Sequence, residues 1–73
     1  MKYAVVYEQT PRNWAAYVPD LPGCVATGST REEVERLITR AIRFHIEGMR
    51  ESGEAIPPPT TAVGLVEVGP GPS

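Results

Sequence analysis

The chain has 73 residues, 41% of them apolar, and a formal net charge of −2. That is room for one thin domain, because chains near this length bury only about 60% of the surface they expose when unfolded. Cys24 is the only cysteine, which excludes an internal disulfide, and with a single histidine, His45, the residue set does not make a metal cluster. The mild acidity lacks the positive footprint of a dedicated nucleic-acid binder. No apolar run approaches the ~18 residues that suggest a membrane span, and Glu8 interrupts the first apolar run too early for a signal peptide. Self-association is the remaining route to added stability, and a reducing cytoplasm is the expected setting.

Residues 2–9 alternate, with Tyr3, Val5 and Tyr7 on one side and Lys2, Ala4, Val6 and Glu8 on the other. β-Branched and aromatic residues at period two predict a strand. Thr10-Pro11-Arg12-Asn13 follows as a turn, with Pro11 suited to its second position. Residues 14–18 then predict a second strand and close a hairpin. Pro19-Asp20-Leu21-Pro22-Gly23 breaks the pattern. Pro22 and Gly23 suit the central positions of a type II turn, where Gly takes the positive φ. A short strand over 24–27 is expected to emerge from it.

Thr30-Arg31-Glu32-Glu33 reads as a capping box, with the Thr30 hydroxyl accepting from the Glu33 amide and the Glu33 carboxylate reaching back to the Thr30 amide. A helix over 31–52 follows, its apolar stripe formed by Val34, Leu37, Ile38, Ala41, Ile42, His45 and Met49. Gly53 is its expected C-cap residue, and Pro57-Pro58-Pro59 forbids continuation. Residues 62–68 are apolar enough for a last strand, with Gly64 marking a possible bulge. Residues 69–73 read as a flexible Gly/Pro tail. The expected fold is therefore α+β, in the order βββαβ, one sheet with a single long helix across one face and one domain over 1–68.

Length matters here. A helix over 31–52 spans about 33 Å, whereas strands of about six residues span about 20 Å. The carboxy-terminal helix turns, with Phe44, Ile46 and Met49, are expected to overhang the sheet and meet a second surface.

Tyr17-Val18-Pro19-Asp20-Leu21-Pro22-Gly23-Cys24, Thr27 through Glu33, Phe44 through Met49 and Gly53 through Pro59 together resemble the HicB family of antitoxin domains. The turn PDLPGC followed closely by the GxTxEE pattern is the most specific part, with Pro19, Pro22, Gly23, Thr30, Glu33 and Gly53 as its structural positions. The resemblance implies a partial ribonuclease-H-like sheet without a catalytic role. It also implies that the chain binds HicA, a small mRNA-cleaving toxin, and blocks its active site. The same resemblance implies that full-length members usually carry a carboxy-terminal DNA-binding segment. Here only a Gly/Pro tail follows Val68, so direct DNA binding is not expected.

His45 is expected to be a packed histidine with a hydrogen-bond partner, because no nucleophile or acid lies near it to make a catalytic pair. Asp20 is expected to shape the turn, and its alternative role is contact with a partner. Cys24 is expected to be buried. Trp14 and Tyr17 are favoured interface anchors, and alternation sets them on opposite faces, so one packs under the helix and the other is left for solvent or a partner. The helix arginines are interleaved with glutamates, leaving Arg40 and Arg43 as a local basic spot. Neither cofactor nor metal is expected. The reading is a non-catalytic protein-binding domain, a homodimer or higher oligomer, with Trp14, Tyr17, Asp20, Phe44, Ile46 and Met49 as partner-binding candidates. An RNA-binding adaptor and a stand-alone structural oligomerisation module are the alternatives.

Overall fold

Three strands, β1 (Val6–Gln9), β2 (Trp14–Tyr17) and β3 (Val25–Gly28), precede one helix, α1 (Arg31–Glu51), in a computed structural model that describes residues 1–71. The strands form one antiparallel sheet in the order β1-β2-β3. The arrangement is the expected α+β class with a single sheet and a single long helix on one face. Pro72 and Ser73, part of the expected tail, lie outside the described residues.

Each strand is only four residues long. The reason for the shortening lies in the β2–β3 connection. Proline has no amide to donate, and β2 ends two residues before Pro19. Two successive turns follow: the Leu21 amide donates to the Val18 carbonyl and the Cys24 amide to the Leu21 carbonyl, each at 3.0 Å. Gly23 takes φ +84°, as the type II turn requires. Residues 2–5 consequently have no β2 partner and extend past the sheet.

Helix α1 is closed at both ends by local chemistry. The Thr30 hydroxyl accepts from the Glu33 amide at 3.0 Å. The Glu33 carboxylate accepts from the Ser29 amide at 2.6 Å, not from the Thr30 amide expected for it. That shift is possible because Gly28 has no side chain: a Cβ there would sit 2.9 Å from Glu33 Oε1 and 3.0 Å from the Val34 nitrogen. At the other end Gly53 takes φ +72°, its amide donates to the Arg50 carbonyl, and the Glu54 amide donates to Met49. This pair of bonds is a Schellman motif.

The core is small. Ala16, Val18, Leu21, Cys24, Val34 and Ile38 are buried, and Tyr3, Val5, Tyr7, Trp14, Ala26, Ala41, Ile42 and Ile46 pack around them. Helix α1 lies over β3 and β2. Leu21, Val34 and Ile38 are the largest fully buried side chains, each contributing roughly 1.5–3 kcal/mol of transfer free energy.

The last strand expected over 62–68 is not formed. Among the described residues no strand pairs with this segment, and Val63, Leu65, Val66 and Val68 are 69%, 104%, 86% and 79% exposed. Its β-branched composition suits a strand, but a strand also needs a neighbouring edge. Past Pro57 the chain is instead held at Thr60 and Thr61 by Asp20 in the β2–β3 connection.

Candidate functional site

The strand register builds two different sheet faces. Val6, Tyr17 and Val25 face one another across the three strands, as do Tyr7, Ala16 and Ala26. The second row lies under α1 and belongs to the core assembly. The first row lies on the face away from the helix, where Tyr17 is 41% and Val25 64% exposed. This uncovered apolar row is the main surface feature of the sheet. Trp14 and Tyr17 separate as their alternation requires: Trp14 packs with the core, and Tyr17 stands on the open face.

The far end of the helix makes a second feature. Twenty-one helical residues extend about 31 Å, well past strands of about 13 Å. A groove forms there, lined by Pro22, Phe44, His45, Met49, Glu54 and Pro57 among others. Phe44 is 80% exposed, Met49 is half-buried, and Ile46 packs against the core. The chain's own residues thus cover Ile46 and leave Phe44. His45 is half-buried on the groove wall, and among the described residues no hydrogen bond holds its ring, unlike the partnered histidine expected.

Asp20 occupies the third position of the first turn and has a role that its neighbours in sequence do not reveal. Its carboxylate accepts from the Thr60 amide (3.0 Å) and hydroxyl (3.1 Å) and from the Thr61 amide (3.0 Å) and hydroxyl (2.8 Å). The Thr61 amide, then the Thr61 hydroxyl, hold the carboxyl below its ordinary value of 3.8, outweighing the opposing desolvation, and the Thr60 hydroxyl and amide add lesser lowering contributions. The Tyr3 hydroxyl donates to the Pro57 carbonyl, so the post-helix chain is tied at two points.

Arg31 opens the helix and covers the top of the sheet. Its guanidinium lies 4.3 Å from the Tyr7 ring centroid and 5.8 Å from that of Trp14, and its Nε sits 3.0 Å from Glu35 Oε1. Cys24 is buried, as expected, and burial pushes its thiol pKa up from 9.0. Arg40 and Arg43 are exposed on the outer helix surface. Among the described residues no three His, Cys, Asp or Glu side chains are grouped to hold a metal ion, and no helix is long and apolar enough to cross a membrane.

Residues 3–68 match the model of the HicB-like antitoxin of bacterial toxin–antitoxin systems. An uncharacterized 14.9 kDa protein from the rep-hol intergenic region of Haemophilus phage HP1 is 40% identical over 57 residues, 78% of this chain and 43% of that protein. A UPF0150 protein of Thermoplasma acidophilum is 38% identical over 58 residues, 78% of this chain and 84% of the relative. Antitoxin HicB 2 of Photorhabdus laumondii is 38% identical over 66 residues, 84% of this chain and 44% of that antitoxin. The chain therefore spans less than half the length of the phage protein and of Antitoxin HicB 2. No solved structure matches it. On the match over residues 3–68 and these identities, the chain belongs to the HicB-like antitoxin family of bacterial toxin–antitoxin systems.

Proposed function

We propose that this chain is a non-catalytic, toxin-binding domain that neutralises a HicA-type mRNA-cleaving protein, acting in the cytoplasm as a homodimer. Family membership supports the antitoxin role. The observation that carries the binding surface is the open row Val6–Tyr17–Val25. A tyrosine at the centre of a flat, β-branched surface supplies apolar area with a hydroxyl for orientation, the chemistry favoured at interface anchors. Phe44 and Met49 at the helix end form a separate apolar feature, and Asp20 holds the nearby chain in place rather than meeting the partner directly.

The test is inhibition of RNA cleavage. A HicA-type ribonuclease from the same genome loses activity as this chain is titrated to equimolar ratio, and Tyr17→Ala shifts the inhibition curve to higher concentration. Undiminished cleavage at a tenfold excess contradicts the reading. The RNA-binding alternative would place RNA on Arg40 and Arg43, which are exposed. It requires RNA retention with a steep salt dependence that is lost in Arg40→Ala/Arg43→Ala.

A further inference from the structure

Residues 62–68 combine two properties that do not belong together in an isolated domain: strand-forming apolar composition and almost complete exposure. We propose that this segment is an exchanged strand, which adds to the β1 edge of a second copy while that copy's segment adds to this one. The inference rests on the self-association put forward above and gives it a geometry.

The surface area points to a missing partner. A compact monomer of 7.9 kDa exposes about 4,400 Å². This chain exposes 5782 Å². The excess is larger than the roughly 800 Å² each partner buries in an interface of ordinary size. The shape agrees: the radius of gyration is 14.6 Å and the longest extent 51 Å against 27 and 16 Å, whereas a compact chain of this length has a radius near 11 Å.

The path of the chain sets exchange above folding back. After the helix, Pro57 is tied to Tyr3 beside the start of β1, and Thr60 and Thr61 are tied to Asp20 in the β2–β3 connection. The chain has by then passed from Tyr3, at the start of β1, to Asp20 in the β2–β3 connection. Three prolines (Pro57, Pro58, Pro59) stiffen this passage. A short, stiff connection favours pairing with a neighbour, the usual origin of exchanged dimers.

The receiving edge is β1. Helix α1 covers β3 and β2, so Tyr3, Val5 and Tyr7 on the helix-facing side of β1 stay half-buried. Residues 2–9 offer about 26 Å of edge, and residues 62–68 span about 23 Å. On the added strand Val63 and Leu65 alternate with Val66 and Val68, so both faces are apolar and suit a position inside a widened sheet.

The test uses the full chain in sedimentation equilibrium, together with amide exchange at low and high protein concentration. A dimer is expected, with slow exchange at 62–68 and at Val6–Gln9 that develops as concentration rises. The variant Leu65→Lys/Val66→Lys changes only exposed side chains, so its helix content should be unchanged while association weakens on the order of 100-fold or more. Phe44→Lys, at the helix end, should leave association intact. A dimer that persists in Leu65→Lys/Val66→Lys, or that is lost in Phe44→Lys, overturns the exchange while leaving self-association standing. Protection of 62–68 in a monomer shows pairing within one chain, and protection at Val25–Gly28 in place of β1 moves the strand to the other edge; either overturns the proposal. A monomer without protection overturns both the exchange and the dimer, and neither result depends on toxin binding.

Discussion

Asp20 and Thr61 are separated by 41 positions, yet the carboxylate of one accepts both the amide and the hydroxyl of the other, at 3.0 and 2.8 Å. Thr60 repeats the pattern with its own two donors. The bond set fixes the root of residues 62–68 without entering the core. Asp20→Ala should therefore accelerate amide exchange at Thr60 and Thr61 while the thermal midpoint of the helix and sheet changes little. A large drop in that midpoint would show that the tie supports the whole fold.

The same carboxylate makes the tie sensitive to acid. Its folded-state pKa lies below the unfolded value of 3.8, the Thr61 amide being the largest cause. The unfolded state therefore binds the proton first as pH falls, and the tie's contribution is complete at neutral pH, begins to decline near 3.8, and is gone below the folded value. Exchange rates at Thr60 and Thr61, corrected for intrinsic pH dependence, should rise in that window, and Asp20→Asn should remove the dependence. A transition centred above pH 5 would assign it to another group.

Both helix ends make separable contributions. Thr30→Ala removes the oxygen that accepts from Glu33 and should cost about 1 kcal/mol. Gly53→Ala forces a side chain into φ +72° and should cost about 1–2 kcal/mol. The two sites lie at opposite ends of a 21-residue helix, so urea denaturation of the double variant should return the sum within about 0.5 kcal/mol. Gly28→Ala should be worse than its size suggests, because its Cβ meets the Val34 backbone at 3.0 Å. An unchanged midpoint for Gly28→Ala would contradict the close approach of helix and strand.

Arg31 joins the helix start to the sheet through the Tyr7 ring, 4.3 Å from its guanidinium carbon. The side chain is 48% exposed, so the coupling measured in a cycle of Arg31→Ala and Tyr7→Leu should be modest, about 0.5–1 kcal/mol. Glu35→Ala should change stability by less, since its ion pair with Arg31 is equally exposed. Additivity in the first cycle would reduce the contact to mere proximity.

What could be read in advance was local. The capping residue Thr30, the stop at Gly53, the Pro22-Gly23 turn and the stripe through Val34 and Ile38 all rest on neighbours within a few positions, and each appears as read. Alternation likewise divided Trp14 from Tyr17. The tie from Asp20 to Thr60 and Thr61 and the stacking of Arg31 on Tyr7 depend on where distant segments cross, and no periodicity carries that information. Residues 62–68 show the limit most clearly. Composition gave their conformational preference, but whether a strand forms is decided by an edge elsewhere, and Tyr3 and Asp20 fix only the chain that leads to them.

Tyr17 leads back to the central claim, that the open sheet face binds a toxin protein. The direct measurement is calorimetric titration of this chain with a HicA-type ribonuclease, alongside Tyr17→Ala and Thr27→Ala. The account predicts a stoichiometric complex, weakened about 30-fold or more by Tyr17→Ala and scarcely by Thr27→Ala. No heat of binding at micromolar concentrations, or affinity indifferent to Tyr17, would contradict it.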